Sequence, residues 1–164
     1  MTDDMIIATN GDITFMYRVG GIVVHDERLL VERNLRDGYC FVPGGRVEYG
    51  ESASEALARE LREELGEDVD IGRLVILSDN AFEAHGERYQ EVAPYFLVEL
   101  ASESSLPSHE GIFEGSEPGV SLCWLPFEEI DGGNLFPPFL RDRVQEIPQT
   151  PEYIVHSDLE SPLA

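Results

Sequence analysis

Lysine is absent from this 164-residue chain: all eleven basic residues are Arg, against thirty-three Asp and Glu, for a formal net charge of −22. So acidic a surface repels nucleic-acid backbones and anionic lipid, which argues against duplex-binding and membrane-surface roles. It also repels phosphorylated small molecules, so phosphate chemistry here needs a cation that reverses the field locally. Missing lysine with excess acid fits either a high-salt cytoplasm or a GC-rich genome. Cysteine is scarce as well. Cys40 and Cys123 are too few and too far apart in sequence for a disulfide framework or a zinc site, and both lie in apolar stretches that read as buried, reduced thiols. The histidines, His25, His85, His109 and His156, show no ligand spacing. No apolar run approaches the ~20 residues of a membrane span, and Met1-Thr2-Asp3-Asp4-Met5 is acidic where a signal peptide is basic.

What remains is the composition of a folded protein, 42% hydrophobic and 27% charged. One domain over residues 1–164 is expected, with 1–12 a flexible lead-in, 157–164 a frayed tail, and a cytoplasmic location. Ile13–Val24 and Arg28–Glu32 read as strands joined by a turn at His25-Asp26-Glu27, and Gly20-Gly21 marks a bulge or a close backbone approach. A short strand from Tyr39 stops at Pro43-Gly44-Gly45. Val69–Ser78, Ala93–Leu100, Val120–Leu125 and Glu152–His156 are further strands, and Pro137–Gln145 is a second helix. Ala101–Gly119 reads as one long acidic loop. Strands flanking helices argue for a layered α/β domain with a mixed sheet.

The clearest element is a helix over Ser52–Leu65, which Ser52 or Ser54 can cap, with Glu55 as a capping-box partner three residues after Ser52 and Gly66 at its end. At about 100° per residue, Leu57, Leu61 and Leu65 form its buried stripe. Glu64 falls inside that arc, about 20° from Leu57, and Glu60 about 60° from it. Glu63 lies further round, beside Ala56. A solvated acidic face would sit opposite the stripe; these carboxylates border it and repel one another unless a cation is shared. Hard oxygen donors of this kind suit Mg²⁺ or Mn²⁺.

The run from Gly45, with Glu51, Arg59, Glu60, Leu61, Glu63, Glu64 and Gly66 as fixed points, resembles the Nudix box. Its pattern is Gly, five residues, Glu, seven residues, Arg-Glu-aliphatic, one residue, Glu-Glu, one residue, Gly-aliphatic. The one departure is Glu67 in place of the final aliphatic residue. The resemblance extends from the strand before the box to Trp124-Leu125-Pro126. It implies the Nudix fold, an α/β/α sandwich with a central mixed β-sheet. It also implies Mg²⁺- (or Mn²⁺-) dependent hydrolysis of a nucleoside diphosphate linked to another group. Glu60 and Glu64 are then expected as metal ligands, Glu63 as a third ligand or the base that activates water, and the Gly45 carbonyl as a further ligand. Glu51 and Arg59 are expected to brace loop on helix as a carboxylate–guanidinium pair. Family members often add a Glu from the loop before the late Trp-bearing strand; here Glu114 or Glu117 stands in that place, as an extra ligand or base.

Phosphate contacts are expected from Arg46 first, then Arg18 and Arg88, while Tyr39 and Phe41 could stack on a base or simply pack in the core. Phe82 stands where the ADP-ribose subgroup carries Pro, and Glu83, Ala84 and His85 where the dinucleoside polyphosphate subgroup carries Tyr, so neither subgroup is indicated. A nucleoside di- or triphosphate is the substrate expected, with no nucleic acid or membrane partner and a homodimer left open. Two alternatives stand beside this: a catalytically silent Nudix-fold binding or regulatory module, and an isopentenyl diphosphate isomerase-like enzyme using Cys40.

Overall fold

Strand β2 (Ile13–Ile22) alternates side chains between two cores and is the hub of the larger, six-stranded sheet. The computed structural model describes residues 5–132 and 134–159. Beside β2 run β1 (Ile7–Asn10), antiparallel, and β8 (Glu87–Leu100), parallel; β6 (Gly44–Arg46) pairs with its other end. β7 (Val69–Ala84) pairs antiparallel with β8, and β11 (Glu152–Ser157) closes the edge parallel to β7. The second sheet has five strands, all antiparallel: β3 (Val24–His25), β4 (Arg28–Arg33), β5 (Cys40–Phe41), β9 (Ile112–Glu114) and β10 (Ser121–Pro126).

Helix α1 (Ala53–Leu65) lies against one side of this strand layer. Its Leu57 and Leu61 are fully buried in a core with Val19, Leu30, Val98 and Trp124, each contributing roughly 1.5–3 kcal/mol of burial. On the other side, Leu140 and Val144 of α3 (Leu140–Gln145) and Ile130 of α2 (Phe127–Ile130) cover a second core with Ile22, Leu29, Ile76 and Tyr95. The expected α/β/α layering is present, with the central layer made of two sheets rather than one. Gly20 meets the expected close approach: a Cβ there would lie 2.6 Å from the Tyr95 ring. Its pairing to β8 runs in continuous register, so it is no bulge.

Several expectations give way. Residues 7–10 are not a loose lead-in but an edge strand; its side chains are all exposed, so it carries no hydrophobic signal and is held by backbone pairing to β2. The frayed tail is an expectation that falls mostly on residues 160–164, outside the described residues. The strand from Tyr39 does end before Pro43, but Gly44-Gly45 then opens another in the larger sheet, because the bare backbone pairs with Val19 and Gly20. β7 and β8 run past the expected bounds at Ser78 and Ala93 to meet at a tight turn at His85-Gly86. The 101–119 segment contains a 3₁₀ turn at Leu106–Ser108 and strand β9. Buried Leu106 anchors that turn, its carbonyl accepting from the Trp124 indole at 2.9 Å. Pro137 precedes rather than starts the expected helix, which is α3 and begins at Leu140.

Candidate active site

Helix α1 is aimed by both of its ends. At the start the Ser52 side chain accepts from the Glu55 amide at 3.3 Å while the Glu55 carboxylate accepts from the Ser52 amide at 2.8 Å. At the finish Gly66 closes the last turn and the Ser116 amide donates to the Glu64 carbonyl at 2.7 Å. Glu67, the one residue that departs from the motif, accepts from the Ser104 hydroxyl, tying the 101–119 segment to the helix end.

Arg59 locks the loop before the helix. Its guanidinium forks onto Glu51 at 2.6 and 3.2 Å, donates to the Arg46 carbonyl at 3.1 Å and to Glu60 at 2.9 Å. Glu51 also accepts from the Glu48 amide at 2.9 Å, and the Arg59 hydrogen bonds hold its carboxyl below the usual carboxylate range. Neither side chain is left over for chemistry, which suits a bracing pair.

Gly45 lies directly under the Glu60 carboxylate: a Cβ there would sit 2.2 Å from its carboxyl carbon. Burial follows the helical wheel. Glu64 is only 5% exposed, the Glu60 side chain 16% and the Glu63 side chain 51%. Burial, then Glu32, Glu60 and Glu117, push the Glu64 carboxyl up to about 8, against a weak counter-pull from the Gly44 backbone. Burial likewise raises Glu60, opposed by Arg59. Glu64 Oε2 is buried without a hydrogen-bond partner among the described residues.

Glu32, on β4, is the acidic residue that sequence reasoning missed. Burial raises its carboxyl, with Arg18 opposing and Glu117 and Glu60 adding to the rise. The signal was available: two residues after Leu30, Glu32 faces the same side of its strand, toward α1. Glu117 joins the cluster electrostatically, through its effect on Glu32, Glu60 and Glu64. Glu114 is exposed on β9 and enters none of these interactions. A buried, unpartnered carboxylate oxygen among mutually repelling acids fits a hard divalent cation. Among the described residues no three His, Cys, Asp or Glu side chains cage a metal by themselves. Water and substrate oxygens would complete the shell, as Mg²⁺ favours.

Between the two sheets opens a cavity of about 570 Å³ lined by Arg18, Tyr39, Phe41, Phe82, Asn80 and Glu91 among others. Arg18 is the cation of that lining, standing between the acidic cluster and the cavity and acting on both Glu32 and Glu91. Arg46 lies outside the lining, its guanidinium against the sulfurs of Met5 and Met16 at 3.5 and 3.8 Å. Arg88 also lies outside it and ion-pairs with Asp12 at 3.3 Å. Of the three arginines expected to contact phosphate, Arg18 is the one in the cavity lining. Tyr39 and Phe41 do face the cavity. Cys40 is buried and belongs to the same core cluster as Cys123. Both are free thiols, and Cys40, the candidate nucleophile of the isomerase-like alternative, lies outside the cavity lining.

The sequence profile of the Nudix domain matches residues 14–146, and the chain belongs to the Nudix family. The putative ADP-ribose pyrophosphatase YjhB of Bacillus subtilis is 28% identical over 93 residues, 57% of this chain and 42% of that protein. The uncharacterized Nudix hydrolase YvcI of the same organism is 38% identical over 55 residues, 33% of this chain and 35% of that one. The chain thus spans less than half the length of the curated relatives it matches. The crystal structure of a MutT protein from Bacillus halodurans superposes with a TM-score of 0.62 at 20% identity, covering 87% of this chain and 91% of that one. That likeness is one of fold. Divalent metals are typical of the family. Among the described residues, no helix is long and apolar enough to cross a membrane.

Proposed function

We propose that this chain is a cytoplasmic, Mg²⁺- (or Mn²⁺-) dependent pyrophosphohydrolase acting on a nucleoside di- or triphosphate or a nucleoside diphosphate-linked compound. The observation that carries the reading is Glu64: a buried carboxylate with an unpartnered oxygen, crowded by Glu32, Glu60 and Glu117. Such a group is costly as an anion unless a cation shares it. Glu60, Glu64 and the Gly45 carbonyl would hold the metal, with Glu63, Glu32 and Glu117 within the same acidic field. Bound there, Mg²⁺ supplies charge neutralisation on the diphosphate and acidifies a water.

The chain's own part is positioning. Arg18 meets phosphate oxygens at the cavity mouth, and the Glu51–Arg59 fork keeps the Gly45 loop fixed on the helix. Glu63, the most exposed of the three helix carboxylates, accepts the proton of the attacking water. The water oxygen bonds to phosphorus, the P–O anhydride bond breaks, and the phosphate leaving group departs with the bonding pair.

A phosphate- and pyrophosphate-release screen over nucleotides, nucleotide sugars and dinucleotides with Mg²⁺ or Mn²⁺ tests this. Glu63→Gln should lose two or more orders of magnitude in kcat with its melting temperature retained, in line with removal of a general base. Wild-type turnover in that variant and in Glu64→Gln would sink the mechanism. Failure of every phosphoanhydride in the screen would sink the activity.

A further inference from the structure

The cavity floor carries a polar row where a sheet core should be apolar. In the register of the larger sheet, Glu91 on β8 stands opposite Asn80 on β7, and Asn80 opposite His156 on β11. All three line the cavity. Glu91 is 6% exposed and Asn80 4%. The flanking levels of the same floor are aromatic or small: Phe82 on one side, Ala93 and then Tyr95 on the other.

Within the row the hydrogen-bonding capacity is only half used. His156 Nδ1 donates to Asn80 Oδ1 at 2.9 Å, which occupies the amide oxygen and leaves the Asn80 amide N–H groups as donors. Glu91 has no hydrogen-bond partner among the described residues. Burial raises its carboxyl, with Arg18 opposing. Two acceptor oxygens and a neighbouring donor thus face one space. Directly opposed residues of an antiparallel pair hold their Cβ atoms about 4.5–5.5 Å apart, a spacing that suits the hydrogen-bonding edge of one planar heterocycle. Tyr39 and Phe41 line the same cavity, their ring centroids 6.4 Å apart, and supply aromatic surface for such a heterocycle.

We infer that the Glu91–Asn80–His156 row reads the edge of a nucleobase and selects one with two adjacent N–H donors beside a carbonyl, the pattern of guanine. Asn80 donates to the carbonyl oxygen, the Glu91 carboxylate accepts from the ring N–H and the exocyclic amine, and His156 fixes the Asn80 amide. The other common bases do not offer two adjacent donors next to an acceptor. Adenine and cytosine pair one amine with an unprotonated ring nitrogen, and uracil offers a single N–H between two carbonyls. The inference deepens the hydrolase reading and rests on it for the presence of a nucleotide in the cavity.

Neutral nucleosides test it without metal, phosphate or turnover. Binding of guanosine, inosine, adenosine and uridine to the metal-free protein and its variants is followed by NMR titration of the backbone amides along β7 and β8. Guanosine should bind roughly tenfold tighter than inosine, which lacks the exocyclic amine, and tighter still than the other two, as expected for a charge-assisted hydrogen bond. Glu91→Gln, which keeps the shape and removes an unpartnered buried acid, should erase the guanosine–inosine difference. Asn80→Ala should weaken both nucleosides together. Circular dichroism melts confirm that each variant folds. Equal affinities in the wild type, a preference for adenosine, or an unchanged preference in Glu91→Gln would overturn the inference. Guanosine selection with no nucleotide hydrolysed would uphold the base-reading row and refute the hydrolase reading instead. Hydrolysis of all nucleotides with equal kcat/KM and no nucleoside preference would do the reverse.

Discussion

Replacing Glu64 with Gln converts the electrostatics of the acidic cluster into a stability measurement. In the metal-free protein the Glu64 carboxyl holds its proton up to about pH 8, whereas the unfolded chain releases it near 4.5. Between those limits the folded state binds the extra proton, so stability is full below about 4.5, falls as pH rises, and levels off beyond about 8. At about 1.4 kcal/mol per pH unit, that interval sets a ceiling of roughly 5 kcal/mol. Water entry and relaxation around an ionised side chain bring the expected loss nearer ~2–3 kcal/mol, still a large part of a domain's ~5–15 kcal/mol. The Gln variant has no proton to release. In EDTA the two proteins should match near pH 5 and diverge until the variant is the more stable by about 2–3 kcal/mol at pH 9. Saturating Mg²⁺ should restore the wild type at pH 9 and leave the variant nearly unmoved, since a ligand that binds only the folded state stabilises it. Urea unfolding read by the fluorescence of Trp124, the single tryptophan and 8% exposed, supplies the curves. Parallel pH dependences for the two proteins in EDTA would refute the reasoning.

Two further substitutions separate geometry from stability. Gly45→Ala places a methyl 2.2 Å from the Glu60 carboxyl carbon. The flexible carboxylate should swing away, cutting kcat roughly a hundredfold, as misplacement of a catalytic group by about an ångström does, while the urea midpoint barely moves; retained kcat would show that Glu60 need not sit where it does. Ser52→Ala removes the hydroxyl of the capping box and should lower stability by about 1 kcal/mol with kcat unchanged. A fall in kcat at constant stability would mean that the cap orients the carboxylates as well.

Glu60, Glu63 and Glu64 were legible in the sequence because a helix writes its faces into a local period. Their burial follows the order that the wheel around Leu57 and Leu61 requires. The Glu51–Arg59 brace was legible for the same reason, both residues lying on or just before one helix. Glu32, Asn80 and Glu91 were hidden because strands report only which face a residue takes, not which distant strand lies beside it. Asn80 and His156 meet through a parallel pairing across a long connection, and no spacing announces it. The surroundings of Arg46 could not be read from its place in the motif: its backbone carbonyl serves the Arg59 brace while its guanidinium turns to methionine sulfurs. β1 left no trace because an exposed edge strand needs no hydrophobic alternation.

The hydrogen bond from the Ser116 amide to the Glu64 carbonyl was introduced as a feature of the helix end. It joins two pieces of chain far apart in sequence: the residue that carries the buried carboxylate, and the loop that presents Glu117 next to it. Fraying at the C-terminus of α1 would therefore carry both acids away together, and docking of the loop would return both at once. Their separation is set by backbone rather than by flexible side chains alone. The acidic cluster is thus assembled or dispersed as one mechanical part, and the loop after β9 is as much a component of it as the helix.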